Sequence, residues 1–175
     1  MSDLPPLPDD MRPVLRDFLA QQSTLTLATA GIQDGRPQVA PLFFASDDDL
    51  NLYWISDPDS RHSLNIEDWC DVAAAIHAQT WEWTGIRGVQ VEGAAMPVTD
   101  PDERQRALAL YTAKFPFVNE KFADLIEESV IYVLRPRWLR WLDNARHFGY
   151  KQEFSFEPSG VHSPEGAREP QRQLG

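Results

Sequence analysis

The residue types with the most chemistry in their spacing lie in LYWISDPDSRH, Leu52 to His62, which gathers Ser56, Ser60, Arg61 and His62 in one short stretch. An aromatic, strand-like run ends here and a helix start follows, so hydroxyls and unsatisfied first-turn amides can converge on one point. Such a corner can hold a phosphate. Serines and amides donate neutral hydrogen bonds, the helix end is positive, and Arg61 adds a charged fork. The same residues also allow a purely structural role, with Ser60 acting only as the N-cap and Arg61 pairing with Asp57, Asp59 or Glu67. Spacing leaves both roles open.

Other chemistries lack residues to carry them. The chain has no Walker loop, glycine-rich dinucleotide turn or nucleophile elbow, and its one cysteine, Cys70, lacks histidine and acidic partners at a diagnostic spacing. His62, His77, His147 and His162 stand apart without the ligand spacing of a zinc or iron site. No protein metal site is expected, although a haem needs only one histidine. With 16 Lys and Arg against 27 Asp and Glu, a net charge of −11 argues against a nucleic-acid partner. No stretch approaches the roughly 18 apolar residues of a membrane span. The single cysteine, and an opening MSDLPPLPDDM without the basic-then-apolar pattern of a signal peptide, make the cytoplasm the expected compartment. Apart from Lys114, Lys121 and Lys151 the cations are arginines, a skew that suits anion binding but that a GC-rich genome also produces.

These side chains need elements to position them, and 175 residues suit one domain. Pro8 to Gln22 sets Met11, Val14, Leu15, Phe18 and Leu19 at helical spacing. STLTLATA and QVAPLFFA flank the turn-rich GIQDGRP and predict a hairpin, to which LNLYWIS adds a third antiparallel strand. A short helix over Ser60 to Trp69 precedes DVAAAIHA, read as a buried strand, and RGVQVEGAAMPV, a half-buried strand in which Gly93 marks a bulge. The strongest helix start is DPDE, with Asp100 as N-cap, Pro101 at N1 and Glu103 at N3, and that helix runs to Pro116. A short helix through Phe122, Leu125 and Ile126 follows, then two closing strands, SVIYVLRP and RWLRWLD, joined near Pro136. Proline, glycine and few apolar groups predict a flexible tail over residues 155–175 after a domain of residues 1–154. About six antiparallel strands with helices gathered in insertions predict a mainly β, α+β fold, a barrel or a curved sheet.

On those elements, LYWISDPDSRH resembles the strand and Ser-Arg-Lys phosphate clamp of the pyridoxamine 5'-phosphate oxidase-like, FMN-binding split-barrel family. IRGVQVEG, Ile86 to Gly93, is similar to that family's Arg-Gln-Val-Arg-Val-Glu-Gly strand along the flavin, with Arg87, Val89, Val91, Glu92 and Gly93 matching. RHFGYKQEF resembles an uncharacterised branch of the same superfamily, and the resemblance covers about Leu15 to Lys151. It implies a six-stranded antiparallel split β-barrel with peripheral helices, a homodimer binding FMN at the subunit interface, and flavin-dependent oxidoreductase chemistry on a small organic substrate. It assigns Ser56, Ser60 and Arg61 to the FMN phosphate, with His62 in place of the family's lysine, and Arg87 and Gln90 to the flavin strand, while Trp141 joins the candidate cofactor residues because an aromatic face can stack on the ring. The family's flavin-contacting glutamine falls at Gly88, with Gln90 two residues on. DNARHFGYK stands where the true oxidase carries an Arg-Leu-His-Asp-Arg ending, so the vitamin B6 reaction is not implied while fold and cofactor are. A non-catalytic protein holding a flavin or haem on the same fold is the alternative.

Several side chains keep two readings. Gln90 faces either the flavin edge or solvent, and Trp138 and Trp141 either cover the flavin or fill the core. Arg135, Arg137, Arg140, Arg146 and Lys151 either steer an anion or complement acidic neighbours. His147 is either a proton donor to substrate or a surface histidine.

Overall fold

The computed structural model describes residues 4–31, 35–118 and 129–156. Helix α1 (Met11–Gln21) leads into strands β1 (Thr24–Ala30), β2 (Pro37–Phe43), β3 (Ala45–Ser46) and β4 (Leu52–Ser56). Helix α2 (Arg61–Asp68), strand β5 (Asp71–His77), a 3-10 turn at Trp83–Gly85 and strand β6 (Arg87–Pro97) follow. Helix α3 (Pro101–Lys114) and strands β7 (Val130–Asp143) and β8 (Lys151–Ser155) complete the order.

Local chemistry accounts for the starts. Ser60 caps α2, its Oγ accepting from the Ser63 amide, and Asp100 caps α3, its Oδ1 accepting from the Glu103 amide at 2.8 Å. Asp10 occupies the cap position of α1 without a side-chain capping bond, so that helix depends on burying Met11, Leu15, Phe18 and Leu19.

The strands form one antiparallel sheet in the order β2-β1-β5-β6-β7-β4-β3, with β8 added to β7. The sheet curls into a half-barrel around α1, which makes the fold mainly β and split-barrel-like. Leu15, Leu27, Phe44, Trp54, Ile76 and Leu139 fill the interior. Cutting Leu27 or Leu139 back to alanine would cost about 2–5 kcal/mol, the usual range for a fully buried leucine.

The sheet differs from expectation in three places. The two closing strands are one 14-residue strand, β7, running straight through Pro136. Proline is tolerated because β4 pairs with Val130 to Leu134 and β8 with Trp138 to Leu142 on the same edge, leaving a break at Pro136 where no N–H is needed. On the other edge the register slips between Glu92 and Gly93, the expected bulge, and a Cβ at 93 would collide with the Arg135 carbonyl. The sheet has eight strands rather than about six, because β3 is two residues long and β8 is polar except for its buried Phe154. Finally, β5 is buried on one face only: Val72, Ala74 and Ile76 point inward and Ala73 and Ala75 outward.

The helix expected through Phe122, Leu125 and Ile126, and nearly all of the expected tail, lie outside the described residues. Among the described residues no helix is long and apolar enough to cross a membrane.

Candidate functional site

Strand β4 ends at Ser56, and a turn through Asp57 delivers the chain to Ser60 and α2, the Ser60 amide donating to the Asp57 carbonyl at 3.1 Å. Asn65 anchors the helix, its Nδ2 donating to Thr29 Oγ1 at 2.9 Å and Gln38 Oε1 at 3.3 Å. The four polar side chains at this corner have a forced polarity. The Asp57 carbonyl can only accept, so the Ser63 hydroxyl donates to it at 2.8 Å, and the Ser60 hydroxyl therefore donates to Ser63 Oγ, also 2.8 Å. Ser60 Oγ can then only accept from His62 Nε2 at 3.1 Å, which places the ring proton on Nε2. With the tautomer assigned in this way, Ser56 Oγ, 2.6 Å from the same nitrogen, accepts as well. In that assignment the hydroxyl proton of Ser56 has no acceptor among the described residues and is available to an incoming one.

Ser56 and His62 are each only 9% exposed, and burial lowers the imidazole pKa below its ordinary value. His62 is therefore neutral at pH 7 and acts as a fixed donor holding two serines. Positive character at this corner comes from the first-turn amides of α2 and from Arg61, which is exposed on that turn.

A second feature lies on the outer face of the sheet, a shallow concavity of about 430 Å³. One cross-strand row runs Val39, Ala28, Ala73, Glu92, Trp138. The neighbouring row runs Thr26, Ala75, Gln90, Arg140, Glu153. Gln90 faces outward here, and Arg140 Nη1 donates to its Oε1 at 3.0 Å.

Of the residues singled out from sequence, Ser56, Ser60, Arg61 and His62 thus come together at one corner and Gln90 sits on the outer face. Arg87 is exposed at the start of β6, where it pairs with Asp143 across the ladder. Trp141 does not reach that face. It pairs with inward-facing Val89, is 3% exposed and packs edge-on against Phe18, with ring centroids 5.0 Å apart. Trp138, of opposite parity on the strand, is the tryptophan that faces outward. Gly88, where the resembling family has its glutamine, is cramped, since a Cβ there would lie 2.9 Å from the Ile76 carbonyl oxygen.

The basic residues of β7 and the loop after it complement acids. Arg135 pairs with Glu103, Arg137 with Asp71, Arg140 with Glu153, and Arg146 with Asp143. His147 is exposed, edge-on to Tyr150, with Nδ1 3.2 Å from the Phe148 carbonyl. Sequence reasoning does not single out Ser63, and it does not join Arg140, one of five cations with two readings, to Gln90. The Ser60–Ser63 spacing, one helical turn, was the available signal for the first, while the second needed the β6–β7 register.

The family model for pyridoxamine 5'-phosphate oxidase matches residues 11–143. A UPF0306 protein from Cronobacter sakazakii is 29% identical over 100 residues, which are 57% of this chain and 65% of the relative. Among solved structures, a haem-binding protein from Mycobacterium smegmatis superposes with a TM-score of 0.70 at 18% identity, covering 85% of this chain and 59% of that one. A protein of unknown function from Agrobacterium tumefaciens gives 0.65 at 22% identity, covering 78% and 58%. In all three the chain spans less than two thirds of the relative's length. The structural likenesses agree with the curled sheet, and the sequence match runs from the start of α1 to the end of β7: this chain belongs to the pyridoxamine 5'-phosphate oxidase family.

Proposed function

We propose that the chain is an FMN-binding flavoprotein, an oxidoreductase acting on a small organic substrate, and that it works as a cytoplasmic homodimer. The observation that carries this reading is the leftover proton of Ser56 beside a helix N-terminus and Arg61. The set offers one hydroxyl, first-turn amides and one guanidinium, which suits a phosphate's oxygens. FMN, when bound, supplies a ring that accepts a hydride or electrons. The chain's own residues bind and orient it. Ser56 and Arg61 hold the phosphate, Ser60 and Ser63 shape the turn, and His62 fixes the serines without adding charge. The dimer is supported by the outer sheet face, where Val39 is 66% exposed and Phe43 46% exposed above a floor of alanines.

The likeness to the mycobacterial haem-binding protein favours one second reading, a haem carrier. His62 Nε2 already donates to two serines, so among the described residues His77 or His147, both exposed, would hold the haem iron.

An absorbance spectrum of the purified chain, before and after addition of FMN and removal of unbound ligand, separates these readings. Retained flavin bands are the expected result, and Arg61→Ala should lose them. A Soret band would replace FMN with haem, and a colourless chain that retains no added FMN would end the oxidoreductase reading.

A further inference from the structure

The lysines of the chain are Lys114, Lys121 and Lys151, and the first stands in surroundings that disfavour its charge. Lys114 closes α3, where a lysine ordinarily meets the last carbonyls of its own helix. Instead its half-buried side chain crosses to α1. Nζ donates to the Leu19 carbonyl at 3.0 Å and stands 4.1 Å from the centroid of the Phe44 ring, with the Phe115 centroid 5.7 Å away. Among the described residues no carboxylate lies within ion-pair distance of it. An ammonium held against aromatic carbon without a counter-ion loses hydration, and burial lowers its pKa from 10.5 to about 8. About a tenth of the amine is then unprotonated at pH 7, against roughly one part in 2,500 for an ordinary lysine. A desolvated amine of this kind is a nucleophile towards carbonyl carbon.

The approach to this amine is aromatic. Phe115 packs against Phe43 and Phe117, with ring centroids 5.2 and 5.9 Å apart, and Phe43 and Phe117 are both half-exposed. A flat apolar body can lie on that rim and present a carbonyl to Nζ. The two contacts of the ammonium then select among electrophiles. Acylation would leave a neutral amide over the Phe44 face, and carbon dioxide would leave an anionic carbamate beside the Leu19 carbonyl oxygen and the negative face of the ring. Condensation with an aldehyde gives a protonated imine, which keeps a positive charge over the ring and one N–H for Leu19.

We propose that Lys114 is a covalent binding site for small aromatic aldehydes, which rest on the Phe43 and Phe117 rim and are held as a protonated imine. The Nζ lone pair bonds to the carbonyl carbon, and the carbonyl oxygen leaves as water with two of the three ammonium hydrogens. The third hydrogen stays on nitrogen, charge is conserved, and no oxidant or reductant takes part. Lys114 reacts in this way whether or not the Ser56 corner holds FMN.

The test exposes the full chain at pH 7 to benzaldehyde with cyanoborohydride, which reduces the imine to a stable secondary amine, and follows each lysine by peptide mass spectrometry. Lys151, exposed at the start of β8, is the reference. The larger unprotonated fraction, offset in part by the lower nucleophilicity of a weaker base, predicts labelling of Lys114 about tenfold faster or more. Phe117→Ala should reduce that excess about threefold. Glyoxylate, an aldehyde without an apolar body, should show a smaller excess in the wild-type chain. Lys114→Arg keeps the positive charge and should leave Tm unchanged while the fast labelling disappears, a loss that a purely structural tie between α3 and α1 does not predict. Labelling of Lys114 within threefold of Lys151, fast labelling that survives Lys114→Arg, or an equal excess with glyoxylate would each overturn the proposal.

Discussion

Two polar clusters sit at opposite ends of β4 and are built differently. Near its start, the Tyr53 hydroxyl lies 3.1 Å from both Asp47 Oδ2 and Glu103 Oε1, and Arg135 Nη2 reaches both oxygens of Glu103 at 2.8 and 2.9 Å. Asn51 donates its backbone and side-chain N–H groups to Asp47, so all four carboxylate oxygens of the pair have partners. Burial, reinforced by the two carboxylates, pushes the Tyr53 phenol far above its ordinary value. At the far end, Ser56, Ser60, His62 and Ser63 form a neutral chain that ends on a proton with no acceptor among the described residues. A charged cluster with every oxygen satisfied ties α3 to the sheet and has nothing to offer a ligand. A neutral cluster with one donor in reserve is ready for an anion.

Substitutions at the two ends should therefore separate stability from binding. Glu103→Ala strands Arg135 and removes an acceptor from Tyr53, and it should destabilise the fold by about 2–3 kcal/mol. That corresponds to a fall in Tm of about 5–10 °C for a chain of this size, with FMN affinity unchanged. Ser56→Ala should do the reverse, weakening FMN about tenfold while moving Tm by less than about 3 °C. If Ser56→Ala lowered Tm as much as Glu103→Ala and left FMN binding intact, the corner would be structural and the contrast would fail.

His62 gives the smallest and most diagnostic effect. Its folded pKa lies below the unfolded value of about 6.5, because burial disfavours the imidazolium. The unfolded chain thus takes up the proton first, so the stability that neutral His62 contributes is complete above about pH 6.5 and declines as pH falls below it. His62→Gln carries no titrating group, and its Tm relative to wild type should rise steadily from pH 6.5 down to pH 5. A constant difference across that range would show that folding leaves the His62 pKa unshifted, and a difference that falls as pH drops would show that it is raised.

Much of this was legible where a local rule decides the outcome. Asp100 with Pro101 set the start of α3, Ser60 capped α2, and Gly93 marked the bulge, each because a cap or a close approach depends on the residues within it. What escaped depends on partners distant in sequence. Glu103 sat at the position of a capping-box acid, yet its carboxylate turned to Arg135 and Tyr53 instead. Pro136 looked like a strand break until β4 and β8 were seen to share one edge of β7. Trp138 and Trp141 carry the same two readings in sequence, yet their spacing of three residues puts them on opposite faces of one strand. The serines of the corner were visible as residue types, but the leftover proton emerges only from the sequence of donors and acceptors that the fold brings within bonding distance.

The central claim is that the Ser56 corner recognises the phosphate of FMN. Comparing the affinities of the wild-type chain for FMN and riboflavin, by quenching of flavin fluorescence, tests it most directly because the two ligands differ only in that phosphate. The account predicts FMN binding at least about tenfold tighter, with the preference lost in Ser56→Ala and in Arg61→Ala. Equal affinity for the two flavins, or a preference that survives both substitutions, would contradict it.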